Sequence, residues 1–195
     1  MRADAAANRR RVLIAAGEVF AEQGLDASTE EIARRAGVGV GTVFRHFPAK
    51  RDLIESTLLE HFAILTEQAR AAGSSPDAAA AFFELTERLV RYTAAKIAMA
   101  GYLYGGAGLG GPARQASAEL SEAIEGLLKR AQDAGGVRRD IGVDDFYFLL
   151  FGLSQSWPPG KTPAADPAQD PARRRAYRVV IDGLRAGRED PPAPA

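Results

Sequence analysis

A short stretch near the N-terminus holds the side chains best suited to contact another molecule. Thr42, Phe44, Arg45 and His46 place a hydroxyl, an aromatic ring, a guanidinium and an imidazole within five consecutive positions. A bidentate contact from arginine to guanine is the commonest specific contact between a protein and a DNA base. The stretch therefore predicts a surface that reads base edges in DNA.

Two short helices joined by a tight turn would present these side chains. Ser28 begins a capping box ahead of a helix over 29–36, and Gly37 supplies the left-handed backbone that ends such a helix. A second helix is predicted over about 40–46, and it ends before Pro48 because the residue preceding a proline avoids the helical region. This order of elements is typical of a helix-turn-helix motif.

Several of these residues also have a purely structural interpretation. Phe44 fits a core position as well as an exposed one, and His46 fits a partly buried ring. The hydroxyl of Thr29, together with the first amides of its helix, suits either helix capping or a phosphate oxygen. Neither histidine has a carboxylate or a second histidine at metal-ligand spacing, so we expect no metal site and no cofactor.

Composition restricts the classes of protein that this chain can belong to. It has 195 residues, of which 46% are hydrophobic, and it has no cysteine. That excludes a disulfide scaffold, a thiolate nucleophile and a cysteine-ligated metal. No apolar run is long enough to span a membrane, and the charged N-terminus does not resemble a signal peptide, so we expect a cytoplasmic protein.

The charge asymmetry between the N-terminal part and the rest of the chain is weak. The net charge is zero, but residues 1–52 hold nine basic and seven acidic side chains. Three of these cations, Arg9, Arg10 and Arg11, lie at the start of a predicted helix, where they oppose the helix dipole. A nearby DNA backbone would favour them there, and a flexible solvated tail is the alternative.

The remaining sequence has helical periodicity throughout and no strand-like alternation, so the predicted fold class is all-α. A three-helix helix-turn-helix domain over 1–52 is expected to precede a helical ligand-binding and dimerisation domain over 53–188 and a disordered tail over 189–195. A glycine-rich stretch over 105–111 and a polar stretch over 157–171 are predicted loops. The predicted helices cover about 8–24, 29–36, 40–46, 50–72, 76–100, 113–134, 143–156 and 172–186.

The N-terminal residues resemble the DNA-binding signature of the tetracycline-repressor (TetR) family of bacterial regulators. The similarity covers roughly residues 8–55 and includes the run Gly41-Thr42-Val43-Phe44, followed by His46-Phe47 and Lys50 at preserved spacing. Residues 56–195 are similar to the family only in their helix number and in ending with an apolar helix, a loop and one more helix. Two departures are Gly39, where a serine is usual, and Phe44, where a tyrosine is usual.

The resemblance implies a role for each matching residue. It implies that Thr29 and Lys50 bind phosphate, and that Phe44 and His46 brace the DNA backbone. The residues that it implies face base edges are Val40, Gly41, Thr42 and Arg45.

A homodimer is expected for two reasons. One short recognition helix provides too little affinity alone, and the apolar helix over 143–156 needs a partner beyond the core of one subunit. Two helices from each subunit would form a four-helix bundle at the dimer interface, and the dimer would bind a pseudo-palindromic DNA operator. The predicted interface residues are Phe146, Leu150, Leu153, Tyr177, Ile181 and Leu184.

The resemblance further implies a repressor that a small molecule releases from DNA by tilting the helix over 50–72. Large apolar side chains in the C-terminal region predict a mostly apolar or aromatic effector, although such a stripe also fits plain core packing. The predicted ligand-binding residues are Phe62, Phe83, Leu89, Tyr92, Met99, Leu103 and Phe148.

Two other functions fit the sequence less well. Asp144 and Asp145 suggest acid–base catalysis, but adjacent helical residues point about 100° apart and both suit a helix start, so we do not expect an enzyme. A nonspecific architectural DNA binder depends on counterion release from many cations, which a neutral chain does not supply.

Overall fold

Helices make up the regular structure of the chain, as predicted. The computed structural model describes residues 2–105, 108–155 and 171–187, and within them no strand is present beyond an isolated bridge between Val137 and Arg185. The predicted loop over 157–171 and the predicted tail over 189–195 lie almost wholly outside the described residues. The eight described helices are α1 (Arg2–Gln23), α2 (Thr29–Ala36), α3 (Val40–His46), α4 (Lys50–Gly73), α5 (Ala78–Tyr104), α6 (Gly111–Asp133), α7 (Val143–Gln155) and α8 (Pro171–Leu184).

The helices pack as two compact units. The first unit comprises Met1–Ile64 and Ala94–Ser117, and the second comprises Leu65–Thr93 and Ala118–Ala195. Helices α4 and α5 each contribute residues to both units, so the packing does not divide after residue 52. The domain boundaries proposed from the sequence therefore stay a prediction.

The first unit buries the apolar stripes of its helices against one another. Apolar residues recur at three- and four-residue spacing along α1 and α4, which places them on one face of each helix. The largest fully buried side chains of this unit are Leu13, Ile32, Leu53, Ile54, Leu58 and Met99.

The second unit has its own core around aromatic rings. The rings of Phe82 and Phe146 have centroids 5.1 Å apart, which joins α5 to α7. The link after α6 is tied to the end of α8, where the Arg138 amide donates to the Leu184 carbonyl at 3.1 Å. Its largest fully buried side chains also include Leu85, Leu89 and Leu120.

Helix α1 begins earlier than predicted. It starts at Arg2 rather than near residue 8, because the alanines at positions 5–7 have high helix propensity. Arg9 and Arg10 therefore lie within a helix, and the alternative of a flexible tail is wrong for them.

The start of α5 also differs from the prediction. It begins at Ala78 rather than near residue 76, and Asp77 is the capping residue, since its carboxylate accepts the Ala80 amide at 2.8 Å. The helix continues beyond residue 100 to Tyr104 and ends where Gly105 adopts a positive φ of 58°. A glycine adopts this left-handed conformation without the steric cost that a Cβ would add.

The predicted interface on α7 and α8 needs correction. Phe146, Leu150, Ile181 and Leu184 are buried within the subunit, with 1–8% of their surface exposed, so they are not available to a second copy. Leu153 and Tyr177 are half-buried. The exposed large apolar side chains of α7 and α8 are Phe148, Leu149, Phe151 and Val179.

The same helix shows why the wrong residues were assigned to the interface. Helix α7 was expected to pack one face in the core and to present the other to a partner, because its apolar residues cover nearly its whole circumference, and residue type does not tell the two faces apart. In the structure one face packs in the core, and Phe148 on the other face is 77% exposed. None of the described helices combines the length and hydropathy that crossing a bilayer requires.

Candidate nucleic-acid interface

Helix α2 and the turn after it have the capping that the sequence predicted. The Glu31 amide donates to the Ser28 hydroxyl at 3.1 Å, which starts the helix. Gly37 has φ 65° and ends it, with its amide donating to the Arg34 carbonyl and the next amide donating to the Ala33 carbonyl. This pattern satisfies carbonyls that the last turn leaves unpaired and turns the chain sharply towards α3.

Helix α3 is held by two buried side chains. Val43 is 0% exposed and Phe47, which caps the helix, is 3% exposed. The Phe47 amide donates to the Val43 carbonyl at 2.8 Å and closes the last turn. Because both side chains point into the core, the opposite face of α3 faces outward.

That outward face carries four of the residues predicted to contact DNA. Val40 and Phe44 are 39% and 51% exposed, and Gly41 and Arg45 are exposed beside them. Positions four apart lie one above the other on a helix, so these four form one continuous surface. The exposure of Phe44 excludes the alternative that it is a core residue.

The two remaining candidates on α3 flank this surface. Thr42 and His46 are half-buried, and the His46 ring lies 6.1 Å from the Phe47 ring. A partly buried His46 agrees with its structural interpretation. The roles of both residues towards DNA stay predictions.

Arg45 lies along its own helix. Its Nε donates to the Gly41 carbonyl at 3.1 Å, and one terminal nitrogen lies 3.4 Å from the Thr42 hydroxyl. Both bonds are exposed and go to neutral acceptors, as a contact with a guanine edge would, so a bidentate contact with guanine would replace them with two bonds of the same kind. The guanidinium is thus placed on the outward face of α3.

The other two predicted contacts lie at helix starts. Thr29 is the first residue of α2 and is half-buried, while Lys50 is the first residue of α4 and is exposed. At α4 the Asp52 carboxylate accepts the Ala49 amide at 3.0 Å, which is the capping role of that acidic residue.

The cations of this region differ in whether they form ion pairs with carboxylates. Arg35 donates to both carboxylate oxygens of Glu22, at 3.0 and 2.7 Å, and Arg34 donates to Glu31. The hydrogen bond from Arg34 lowers the pKa of Glu31, and the hydrogen bond from Arg35 to Glu22 raises the pKa of Arg35. Arg35 therefore joins α2 to α1, whereas Arg34 pairs within α2.

Arg45 and Lys50, by contrast, form no ion pair with any described carboxylate. Their charges are therefore not neutralised within the described part of the chain. This leaves two cations at the places where a helix-turn-helix meets base edges and phosphate.

Two arginines of α1 brace the motif in a way that sequence reasoning missed. Arg9 donates to the Ser56 hydroxyl and its guanidinium lies 5.2 Å from the centroid of the Phe47 ring. Arg10 pairs with Glu60 at 3.1 Å. Their unfavourable position relative to the helix dipole indicated that something else stabilises them. The sequence did not show which residues do so, because their partners on α4 lie about fifty positions away.

The predicted ligand-binding residues do not form one set. Phe62, Met99 and Leu103 are buried in the first unit, and Leu89 is buried in the second, where Phe83 is half-buried. Phe148 is 77% exposed on α7, and its role as a ligand contact stays a prediction. Tyr92 lies in α5, and its side chain is outside the described part of the chain.

No group of three or more histidine, aspartate or glutamate side chains that could hold a metal ion occurs among the described residues.

Family models match both parts of the chain. The model described as bacterial regulatory proteins of the tetR family matches residues 12–57, and the model described as the SbtR-like transcriptional regulator C-terminal domain matches residues 77–186. The second match alone covers more than half of the chain. The chain belongs to the TetR family of bacterial transcriptional regulators.

Solved structures of TetR regulators agree over almost the whole chain. A TetR regulator from Mycobacterium vanbaalenii is 36% identical, with a TM-score of 0.70, over 94% of this chain and 98% of that one. The TetR regulator SCO0520 from Streptomyces coelicolor is 31% identical, with a TM-score of 0.72, over 91% of this chain and 98% of that one. Membership of this family confirms the prediction of a regulator rather than an enzyme.

Curated relatives are similar to this chain over short stretches. The HTH-type regulator TtgW from Pseudomonas putida is 44% identical over 57 residues, which are 29% of this chain and 42% of that protein. The HTH-type regulator SrpR from the same species is 44% identical over 57 residues, which are 27% of its length. The chain therefore matches less than half the length of these curated relatives.

Proposed function

We propose that this TetR-family chain is a cytoplasmic, ligand-responsive repressor that binds a pseudo-palindromic operator as a homodimer. The observation that carries the proposal is the outward face of α3, which comprises Val40, Gly41, Phe44 and Arg45. Two glycine positions near its start, residues 39 and 41, have open space around the position of a Cβ, which lets a DNA backbone come close. Thr29 and Lys50 would bind the flanking phosphates.

The hydroxyls that a serine at position 39 and a tyrosine at position 44 would supply are absent, so DNA binding depends more strongly on a dimer. Gly39 caps α3 without a side-chain hydrogen bond, and Phe44 has no hydroxyl to offer a phosphate. Gly is an acceptable capping residue, so α3 still forms, but each half-site contact is weaker. Two recognition helices at a fixed separation compensate for this.

The exposed apolar residues of α7 and α8 support a dimer surface. Phe148 and Phe151, three positions apart on α7, are 77% and 48% exposed, and Val179 on α8 is 70% exposed; large exposed apolar side chains of this kind favour an interface. We propose these residues in place of the buried ones named from the sequence. Leu153 and Tyr177 stay candidates at its edge.

A small effector would act through the helical region that follows the motif. Phe62, Met99 and Leu103 remain proposed ligand contacts, because they are large, apolar and carried by α4 and α5. Arg51 at the start of α4 donates to the Leu103 carbonyl at 2.9 Å, so the end of α5 is bonded to the helix that carries Lys50. A displacement of α5 would thus reach the start of α4.

The test compares specific with nonspecific binding. The full-length protein is titrated with its own upstream intergenic DNA and with random DNA of equal length, each at two salt concentrations. We expect preference for the upstream DNA at both, with steep salt dependence for the random DNA. Equal affinity for the two DNAs at each salt concentration would contradict the proposal.

A further inference from the structure

Lys96 is a cation in an apolar part of α5. Its Nζ lies 5.5 Å from the centroid of the Phe62 ring, and Phe62 is 6% exposed. Ala95 beside it is also buried, whereas Lys96 itself keeps intermediate exposure. Lys96 was not singled out from the sequence, where it stands as one charge in an alanine-rich helix.

No described carboxylate compensates for this charge. Lys96 forms no ion pair within the described residues, and Glu60, the acidic residue beside His61, is paired with Arg10. Burial alone lowers the pKa of Lys96 to about 8, with no carboxylate acting in the opposite direction. An ammonium held in apolar surroundings without a counter-charge is costly, and such groups normally have a partner.

A second polar group lies close to Lys96. His61 on α4 has its pKa lowered to about 4, first by burial and then by the charge of Lys96. The imidazole is therefore neutral at pH 7 and offers a hydrogen-bonding group without adding charge. The ammonium, the imidazole and the Phe62 ring form one cluster between α4 and α5.

Apolar side chains continue from this cluster along α5. Met99 and Leu103 lie three and seven positions after Lys96, which places them on the same face of the helix. They are 0% and 6% exposed. A molecule that contacts Lys96, Met99 and Leu103 would need a negative group to pair with the ammonium and an apolar body to lie along the other two side chains.

We propose that Lys96 binds the carboxylate of an effector whose apolar body lies along Phe62, Met99 and Leu103. This inference rests on the proposed ligand-responsive function and narrows its effector from any apolar molecule to an apolar carboxylate. The neutral His61 ring would lie near the bound carboxylate and add no charge there. Because the His61 ring also contacts α1 at Gly17, a ligand at this cluster would act directly on the packing of the DNA-binding helices.

The first test measures binding without DNA. The full-length protein is titrated by calorimetry with octanoate and phenylpropionate, and with the matched neutral octanol and cationic octyltrimethylammonium. We expect the carboxylates to bind and the neutral and cationic compounds to bind at least about tenfold more weakly, as the loss of a charge-assisted hydrogen bond implies.

Variants assign the binding to Lys96. Lys96→Met keeps the length and removes the charge, Lys96→Arg keeps the charge, and Lys129→Met on the exposed face of α6 is the matched control. We expect Lys96→Met to weaken octanoate binding about tenfold or more, Lys96→Arg to retain part of it, and Lys129→Met to retain all of it. Thermal unfolding of each variant checks that it folds, and Lys96→Gln replaces Lys96→Met if the latter does not.

Three results would overturn the inference: no carboxylate binds, octanol binds as tightly as octanoate, or Lys96→Met binds octanoate like the wild type. A separate titration of upstream DNA with and without octanoate keeps the two proposals distinguishable. Specific DNA binding without octanoate binding would reject the carboxylate site and keep the regulator. Octanoate binding without specific DNA binding would keep the carboxylate site and reject the regulator.

Discussion

The imidazole of His61 lies directly against the backbone of Gly17. Its Cε1 and Nδ1 atoms are each 3.2 Å from the position that a Cβ at residue 17 would occupy, and the methyl group of Thr57 is 3.7 Å from it. Helix α4 therefore packs closely against α1 at this point. This contact joins the predicted effector region to the helix that supports the DNA-binding motif.

Gly17→Ala should destabilise the protein despite the better helix propensity of alanine. The propensity gain is about 1 kcal/mol, and the new methyl group would push on the half-buried His61 ring, at a cost of about 1–3 kcal/mol. We expect a net loss of about 1 kcal/mol in the free energy of unfolding, measured by urea denaturation at fixed protein concentration.

Gly126→Ala is the matched control for this substitution. Residue 126 lies in the middle of α6, is exposed, and has nothing within 4 Å of an added Cβ, so this change should stabilise the protein. In a double-mutant cycle, His61→Ala should remove most of the cost of Gly17→Ala. An unchanged cost in the His61→Ala background would show that the ring is not the obstacle.

His61 should make stability depend on pH between about 4 and 6.5. Its folded pKa, about 4, lies below its ordinary value of 6.5, so the unfolded chain binds more protons in this window and stability rises with pH through it. The full shift corresponds to about 3 kcal/mol, gained by pH 6.5 and lost as the pH falls to 4.

The measurement is the free energy of unfolding against pH for the wild type and His61→Gln. Lys96 on α5 faces His61 and stays charged across this window, so the difference between the two curves reports His61 rather than the carboxylates that titrate below it. Parallel curves would show that His61 has an ordinary pKa.

Arg45 and Lys50 should affect DNA binding in different ways. Arg45→Ala should remove about 1–3 kcal/mol of discrimination at one base pair of the operator, because a bidentate contact to guanine would be lost. Lys50→Ala should weaken binding to all sequences alike and reduce the salt dependence by about one phosphate contact. Binding measured on a set of single-base operator variants separates the two effects.

Arg88→Ala is the control for lost charge, since Arg88 lies on an exposed face of α5 beside Glu84. It should leave both the affinity and the base preference unchanged. An Arg45→Ala variant with the base preference of the wild type would refute the role of Arg45 in reading DNA.

Phe148→Ser together with Phe151→Ser should weaken the dimer without unfolding the subunit. Each ring is exposed in the single subunit and would be buried in the proposed interface, where a phenylalanine contributes about 1.5–3 kcal/mol. We expect the dimer dissociation constant, measured by sedimentation velocity, to rise by at least about tenfold.

Tyr102→Ser is the control for this change, because Tyr102 is 52% exposed on α5 and lies outside the proposed interface. A dimer equally weakened by Tyr102→Ser, or unaffected by the loss of both phenylalanines, would place the interface elsewhere.

Local signals were enough to predict the helix-turn-helix element. The bounds of α2 and α3 follow from residues next to them in sequence, namely the Ser28 cap, the left-handed Gly37 and the proline at position 48. Family membership could also be predicted from this stretch, because many of its residues match the family signature at preserved spacing. The exposed face of α3 follows from the same helical periodicity once Val43 and Phe47 are known to point inward.

The sequence by itself thus determined the helices, the motif and the family, since each depends on interactions within a few residues. Tertiary structure alone decided which face of α7 is exposed and which partners hold Arg9 and Arg10. It also decided that Lys96 and His61 lie close together. An apolar residue satisfies a core and an interface equally well, so Phe146 and Phe148 cannot be told apart by type. Their difference arises from which helix packs against which face, and that depends on contacts between residues far apart in the chain.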